Sequence, residues 1–345
     1  MNPRRLTLLT EGHLDCLRAK TAVGMLRYCP SNVSCVLDST RAGQDLISLV
    51  GVGQDIQIVA TVRDALALNP TGLLLGIAPA GGKLPASWRA IILEFITSGL
   101  DVVSGLHQFL ADDSEFREAA TRHNARLVDL RRPPDIRVVA GGRALQHAGL
   151  RVLTIGTDEC LGKMTAALEV TAEAVARGWN AKFIATGQTG IVIEGTGTAI
   201  DAVASDFLAG SVETMVLAEP ERELLVIEGQ GSISSPAFSG VALGLLHGCM
   251  PQALVLCHDP TRTHIRGTTF PLPSAQATIA IYESLAHMLF PCRTVAACLN
   301  TSYFSQQEAR RVLDETELAL GVPTTDPVRF GAKRVVDALV PMRHI

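Results

Sequence analysis

The chain has 345 residues, of which 47% are hydrophobic and 19% are charged. This composition excludes global disorder, and a chain of this length is expected to form two domains of about 100–200 residues each. A formal net charge of -4 and an aromatic content of 4% favour neither nucleic-acid nor anionic-membrane binding. We predict a cytoplasmic homo-oligomer that acts on small molecules.

Apolar segments are too short or too often interrupted to predict a membrane helix. The longest apolar run, 240–257, contains His247 and Pro251, which favours a core helix followed by a core strand. Residues 6–10 follow MNPRR but run directly into acidic residues, so no signal peptide is expected. The eight cysteines include no C-x-x-C pair, which argues against a metal or disulfide framework.

Short apolar segments alternate with longer helical patterns in the first part of the chain, as is typical of a parallel sheet with crossover helices. Strands are predicted at residues 6–10, 34–38, 72–78, 101–105 and 125–129, and helices at 42–50, 88–98 and 115–123. The segment Arg131-Arg132-Pro133-Pro134 breaks this pattern, because two prolines continue neither a helix nor a central strand. We predict a Rossmann-like domain over residues 1–134.

A second alternating series begins at residue 151. Strands are predicted at 151–155, 181–185, 223–227, 252–257 and 293–299, and helices at 163–177, 198–209, 239–247, 274–289 and 305–320. We predict that residues 135–345 form a second α/β domain with a parallel sheet of the P-loop NTPase type.

The strongest motif is RVLTIGTDECLGKMTAALEV, in which a strand, a glycine loop, a lysine and a helix follow one another. Glycines let backbone N–H groups surround a phosphate, and the helix N-terminus and lysine add positive charge. Met164 stands where a magnesium-binding hydroxyl is usual, and Thr165 follows it, which leaves a role for magnesium open. An ordinary glycine turn is the alternative. The residues predicted to bind phosphate are Gly156, Thr157, Asp158, Gly162, Lys163, Met164 and Thr165.

A second motif, ELLVIEGQGSISSP, places Glu228 at the end of a strand. An acid at the end of a strand beside the P-loop strand can hold a metal, orient a water molecule or accept a proton. We predict Glu228 as the catalytic base, with His258 as the second candidate, because both are expected to end strands beside the P-loop strand. A solvated strand-end acid is the alternative for Glu228.

Two further loops supply candidate binding residues. The loop after residue 185 contains Gln188 and Thr189, which are predicted to bind substrate. The segment VLCHDPTRTHIRG contains Arg262 and Arg266, whose guanidinium groups suit carboxylates or phosphates, or simple ion pairs. Its spacing matches no common zinc motif, so no metal site is predicted.

The remaining candidates are more isolated. The aspartates Asp201 and Asp206 fall on one predicted helix but, five positions apart, on different faces. In the first domain, the loop TEGHLD lacks the glycines of a dinucleotide site, so NAD is not predicted. Lys83, in IAPAGGKLP, is predicted to reach an anionic substrate, whereas His107 is expected to be structural.

Long stretches of the chain resemble one family. The matching segments are TEGHLDCLRAKTAVGMLRY, VLDSTRAG, GIAPAGGKLPASWR, VVSGLHQFLADD, IGTDECLGKMTAALE, ATGQTGIVIEGTGTAIDAVASDFLAGSVE and IEGQGSISSPAFSG. They resemble a P-loop family, long of unknown function and sometimes labelled NAD-dependent epimerase/dehydratase, that is now associated with D-glutamate N-acetyltransferase. The resemblance implies transfer of acetyl from acetyl-CoA, as co-substrate, to the amino group of a D-amino acid, with D-glutamate expected.

The residues are compatible with this activity, because a P-loop can hold coenzyme A phosphates without cleaving them. Two other classes remain open at this point. One is an ATP-dependent kinase or ligase with Glu228 and Thr165 around magnesium. The other is a protein that binds a nucleotide or metabolite without turnover.

Overall fold

The computed structural model describes residues 5–77, 80–133 and 137–343 and separates into two compact units. The first unit comprises residues 1–134 and 191–202, and the second comprises residues 135–190 and 203–345. The predicted boundary after Pro134 lies outside the described residues. Each unit is built on a six-stranded sheet in which the paired strands are parallel, which confirms the predicted α/β class.

The first unit alternates strands and helices around one sheet. Its elements are β1 (Leu6–Leu9), α1 (Lys20–Tyr28), β2 (Val33–Leu37), α2 (Leu46–Val50), β3 (Ile58–Val59), α3 (Val62–Ala67), β4 (Gly72–Leu75), α4 (Arg89–Thr97), β5 (Asp101–Ser104), α5 (Ser114–His123) and β6 (Leu127–Asp129). The strand order is β3-β2-β1-β4-β5-β6, which is the order of the Rossmann fold. The Rossmann-like expectation is therefore confirmed.

Both faces of this sheet are buried, because helices cover each of them. Leu73 and Leu75 point into one core cluster together with Trp88 and Phe95. Leu74 points to the opposite face and belongs to a second cluster. A strand that is buried on both faces has apolar residues at every position and not only at alternate ones. This is why the three consecutive leucines of β4 predict a strand.

The chain returns to the first unit at residues 191–202. Val192 is buried in the second core cluster of that unit, and the thiol of Cys29 lies 3.7 Å from the carbonyl oxygen of Ile193. Asp201 forms an ion pair with the buried guanidinium of Arg131. Residues far along the chain thus complete both the core and the charge balance of the first unit.

The prediction of one helix over 198–209 is wrong. Asp201 lies in a 3-10 turn, Ile200–Ala202, and the helix that follows begins at Ser205. The backbone of Ala204 is extended, with ψ of 140°, so the helix cannot begin earlier. Asp206 lies in the first helical turn, where a carboxylate complements the positive end of the helix dipole.

The second unit contains the larger set of elements. They are β7 (Leu150–Gly156), α6 (Lys163–Ala176), β8 (Ala181–Ile184), α7 (Gln188–Glu194), α8 (Ser205–Leu217), β9 (Leu224–Ile227), α9 (Ser239–Cys249), β10 (Ala253–His258), α10 (Ala275–His287), β11 (Arg293–Leu299), α11 (Gln306–Leu320), β12 (Thr324–Thr325) and α12 (Lys333–Leu339). The last residues of α7 belong to the first unit. The strand order is β12-β11-β10-β7-β9-β8.

The fully buried strand β7 leads into the P-loop and has β10 and β9 as its two neighbours. Because β9 ends before Glu228 and β10 ends at His258, both residues lie at the ends of strands that flank the P-loop strand, as predicted. The two-residue strands β3 and β12 were not predicted, because two residues are too short to show a strand pattern.

A buried arginine stabilises the other end of β7. The Arg151 side chain is 2% exposed, and its Nε donates to the carbonyl oxygens of Cys249 and Met250, each at 3.1 Å. Its Nη1 donates to the carbonyl oxygens of His147 at 2.9 Å and Gly149 at 3.2 Å. Since α9 ends at Cys249, the cation also faces the negative end of that helix.

We expect Arg151→Met to lower the free energy of unfolding by about 3 kcal/mol, because it leaves buried carbonyl groups without a donor. Urea denaturation measures this change. Arg311→Met is the control, since Arg311 is 65% exposed in a helix-surface pair with Glu315 and is expected to change stability by less than about 1 kcal/mol. Equal effects of the two substitutions would contradict a structural role for Arg151.

Candidate functional site

The carboxyl ends of four adjacent strands, in the order β10-β7-β9-β8, define the candidate site. The segments that follow them are the P-loop at 157–162, and the segments beginning at Thr186, Glu228 and Asp259. Ligands of open parallel sheets bind at this edge, because the connecting loops converge there. The site described below lies within the second unit.

The P-loop wraps around the side chain of its own lysine. Lys163, the first residue of α6, is 6% exposed, and its Nζ donates to the backbone carbonyl of Asp158 at 2.7 Å. Burial lowers the pKa of the Lys163 ammonium. Gly162 has φ of +98°, a conformation that favours glycine, and a Cβ on Gly156 would lie 3.0 Å from Nζ. Both predicted glycines are therefore required by the loop geometry.

Asp158 ties the P-loop to the segment after β10. Its carboxylate is fully buried and accepts 2.8 Å hydrogen bonds from Nη1 of Arg262 and from the backbone N–H of Arg266. Arg262 also donates to the carbonyl oxygen of Glu159 at 2.7 Å. The Arg262 guanidinium is therefore engaged within the protein, in a partly buried ion pair rather than a surface one.

Arg266 is the more accessible of the two predicted arginines. Its side chain is 44% exposed, with Nε 3.7 Å from a carboxylate oxygen of Glu159. Its Nη1 lies 2.6 Å from the sulfur of Cys160. Arg266 thus borders the P-loop but is far less enclosed than Arg262.

Glu228 is buried beside the P-loop and is held by backbone donors. The side chain is 4% exposed, and Oε2 accepts hydrogen bonds from the N–H groups of Thr186 at 2.9 Å and Gly187 at 3.1 Å. Burial raises the pKa of the Glu228 carboxyl to about 7, although these donors, Gln230 and the charge of Lys163 oppose the shift. A carboxyl with this pKa exchanges a proton near neutral pH.

Glycines leave the space that Glu228 occupies. A Cβ on Gly190 would lie 2.5 Å from Oε2 of Glu228 and 3.1 Å from the ring of Phe183. A Cβ on Gly187 would lie 2.6 Å from Nε2 of Gln230. The glycines of the segment TGQTG therefore form the wall around the buried carboxyl.

His258 contacts the P-loop from the opposite side. Its Nδ1 lies 3.0 Å from the hydroxyl of the fully buried Thr157. Burial lowers the pKa of the His258 imidazole, and the nearby Asp259 carboxylate opposes this shift. The imidazole is thus favoured in its neutral form.

The other predicted residues lie in different settings. Met164 and Thr165 are half-buried in the first turn of α6. Gln188 is half-buried and Thr189 is buried in the first turn of α7, directly after the backbone donors to Glu228. Lys83 is exposed and belongs to the first unit, so the second unit brings together the predicted residues except Lys83.

Several residues of the site were not predicted. The hydroxyl of Ser232 donates to the carbonyl oxygen of Thr157 at 3.2 Å, and Gln230 donates to the hydroxyl of Thr186 at 3.1 Å. The hydroxyl of Tyr282 accepts a 3.2 Å bond from the N–H of Ile233. The polar run GQGSISS was the available signal for the first two, whereas nothing near Tyr282 in the sequence indicated its role.

In the part of the chain that the structure describes, no group of three or more His, Cys, Asp or Glu side chains is arranged to hold a metal ion. Among the same residues, no helix has the length and apolar character that crossing a bilayer requires.

The raised pKa of Glu228 predicts a pH dependence of stability. The folded protein keeps the Glu228 proton up to about pH 7, whereas the unfolded chain releases it near 4.5. The resulting stabilisation is complete below pH 4.5 and is lost as the pH rises through 7. We therefore expect the unfolding free energy, relative to that of Glu228→Gln, to fall by about 2–3 kcal/mol between roughly pH 5 and pH 8. If urea denaturation gave the wild-type protein and Glu228→Gln the same dependence of unfolding free energy on pH, the raised pKa of Glu228 would be contradicted.

Comparison with known proteins places this site in a family. A model described as "Domain of unknown function (DUF1611_C) P-loop domain" matches residues 138–336, and "Domain of unknown function (DUF1611_N) Rossmann-like domain" matches residues 39–133. A crystal structure of a DUF1611 family protein from Anabaena variabilis superposes with a TM-score of 0.94 and 36% identity, covering 98% of this chain and 99% of that chain.

Two curated relatives carry a functional name. A protein from Tritonibacter scottomollicae named D-glutamate N-acetyltransferase is 38% identical over 328 residues, which are 94% of this chain and 95% of the relative. A protein of the same name from Pseudoalteromonas sp. is 39% identical over 280 residues, which are 80% of this chain and 83% of the relative. These matches confirm the resemblance found in the sequence, and the chain belongs to the DUF1611 family.

Proposed function

We propose that this protein is an N-acetyltransferase that moves the acetyl group of acetyl-CoA to the amino group of a D-amino acid, with D-glutamate as the acceptor. The observation that carries the proposal is the similarity, at 38% and 39% identity over most of the chain, to two proteins named D-glutamate N-acetyltransferase. Those names support acetyl transfer, and the chemistry of the site supports a specific division of roles among its residues.

The P-loop is proposed to hold phosphates of the donor. Coenzyme A carries phosphate groups that do not react, so they need to be bound but not cleaved. The loop supplies backbone N–H groups and Lys163, whose ammonium has three donors, one of which is engaged by the carbonyl oxygen of Asp158. Met164 at the usual position of the magnesium-binding hydroxyl is compatible with binding without hydrolysis.

Glu228 is proposed as the general base. The amino group of the acceptor attacks the thioester carbonyl, the C–N bond forms as the C–S bond breaks, and the thiol of coenzyme A is released. The attacking nitrogen must lose a proton. The ionised Glu228 carboxylate takes it and then passes it to the leaving thiolate, which gives the released thiol. A pKa of about 7 lets the group accept and release that proton near neutral pH. His258 remains the second candidate for the base.

The acceptor brings two carboxylates, which require local cations because the chain is acidic overall. We propose Arg266 for this role, since Arg262 is engaged by Asp158 whereas the Arg266 side chain is 44% exposed. Gln188 and Thr189, which follow the backbone donors to Glu228, are proposed to border the amino group. Binding of the anionic acceptor by Lys83 stays a prediction.

The direct test is release of free thiol from acetyl-CoA in the presence of single D- and L-amino acids. We expect thiol release to require a D-amino acid and to be fastest with D-glutamate. Formation of ADP from ATP, without thiol release, would instead establish an ATP-dependent enzyme. Tight binding of acetyl-CoA without turnover of any acceptor would establish a non-catalytic binding protein.

Lys163→Ala is expected to weaken coenzyme A binding by about 1.5–3 kcal/mol, the range of a charge-assisted hydrogen bond. Isothermal titration calorimetry measures the change. Lys333→Ala removes an exposed lysine at the start of α12 and is expected to leave the affinity unaltered. An unchanged affinity in Lys163→Ala would exclude the lysine from the donor site.

Glu228→Gln is expected to lower kcat by roughly 10²–10⁴-fold with little change in coenzyme A affinity, because the amide cannot accept the proton. The rise of kcat/KM with pH near 7 should also disappear. Glu221→Gln, an exposed residue at the opposite end of β9, serves as the control. A Glu228→Gln enzyme with full activity and an unshifted pH profile would remove Glu228 from the mechanism.

A further inference from the structure

A cavity of about 360 Å³ lies against the segment after β10, and apart from His258 and Arg262 its lining residues do not belong to the site described above. Its volume is in the range of small-molecule sites, which is roughly 300–1,000 Å³. The walls come from this segment, from the start of α10 and from the last turns of α11.

The cavity shares a wall with the P-loop. His258 and Arg262 both line the cavity, and both also bond to P-loop residues. The His258 ring contacts the Thr157 hydroxyl at 3.0 Å, and Arg262 contacts the Asp158 carboxylate at 2.8 Å. His258 and Arg262 therefore connect the cavity to the P-loop, so the cavity lies beside any ligand whose phosphates occupy that loop.

The lining is mixed in a way that suits a flat heterocycle with polar edges. Leu272, Pro273 and Leu320 offer apolar surface. Gln276 offers donors and an acceptor, and the Thr316 hydroxyl, which donates within α11, offers an acceptor. Small-molecule sites combine apolar walls with a few such polar groups that fix the orientation of the ligand.

The strand order indicates which part of the donor the cavity takes. The cavity lies on the β10–β11 side of β7, whereas Glu228 follows β9 on the other side. If phosphates lie at the end of β7, the thioester must extend toward Glu228, because the amine and its base meet there. The part of the donor that does not react must then extend the opposite way.

We propose that this cavity receives the purine nucleoside end of the phosphate-bearing donor, which under the proposed function is the adenosine of coenzyme A. The inference deepens the proposed function and rests on it for the identity of the donor. The cavity is thus a donor subsite, and the amino group of the acceptor meets Glu228 on the side of β9.

The inference is tested with variants in which a tryptophan on α10 or on α11 fills the cavity. Ala319→Trp and Gln276→Trp change exposed lining residues on α11 and α10, so the fold is expected to tolerate them. Leu318→Trp places the same side chain at an 88% exposed position next to Ala319 and outside the cavity lining, as the matched control. Thermal unfolding checks that the variants remain folded.

Calorimetry with coenzyme A, adenosine 3′,5′-bisphosphate and 4′-phosphopantetheine then separates the two ends of the donor. We expect each cavity variant to weaken coenzyme A and the bisphosphate by roughly tenfold or more and to leave phosphopantetheine unchanged, while Leu318→Trp changes none of them. Three results in the cavity variants would overturn the inference. They are loss of phosphopantetheine binding alone, an unchanged bisphosphate affinity, and an effect confined to the KM of the amino acid.

The same measurements distinguish failure of the inference from failure of the proposed function. If the wild-type protein releases no thiol with any amino acid, but binds the bisphosphate or ATP in a manner that Ala319→Trp weakens, acetyl transfer is refuted and the nucleoside site stands. If the wild-type protein does not bind the bisphosphate or ATP, the nucleoside site is refuted whatever the outcome of the thiol assay.

Discussion

Buried charge is the constraint on which the second unit depends. Lys163, Asp158 and Glu228 all lie out of water, where an ionised group without partners is strongly unfavourable. Each is satisfied differently: the ammonium by a backbone carbonyl, the aspartate by Arg262, and the glutamate by two backbone N–H groups. Burial raises the pKa of Glu228 to about 7, because its hydrogen-bond partners are dipoles and the charge of Lys163 only partly offsets burial.

The parallel sheet makes this arrangement possible. Adjacent parallel strands end at one edge, so residues that are far apart along the chain become neighbours. Thr157 and His258 are 101 positions apart and in hydrogen-bond contact, and Thr186 and Glu228 are 42 apart. Rigid strand ends hold the backbone donors in place, while glycines let the loops approach closely enough to use them.

Much of the fold was predictable because long apolar strands and their loops leave a local signature. The P-loop and Glu228 follow such strands and His258 ends one, and both Glu228 and His258 were predicted at strands beside the P-loop strand. The pairing of Arg262 with Asp158 was not predictable, because an arginine near a ligand loop has the same local sequence whether it faces a ligand or a protein carboxylate. Its partner is 104 positions away and was itself expected to bind phosphate.

The predicted boundary after Pro134 does not divide the sequence cleanly between the two units. Residues 191–202 follow the P-loop in sequence but belong to the first unit, where Val192 fills the core and Asp201 pairs with Arg131. A gene fragment ending at residue 134 would therefore encode the first sheet without Val192 in its core and without the Asp201 carboxylate that pairs with Arg131. The two halves are not interchangeable modules, and recombination between homologous genes near the proline pair would separate side chains that have to be inherited together.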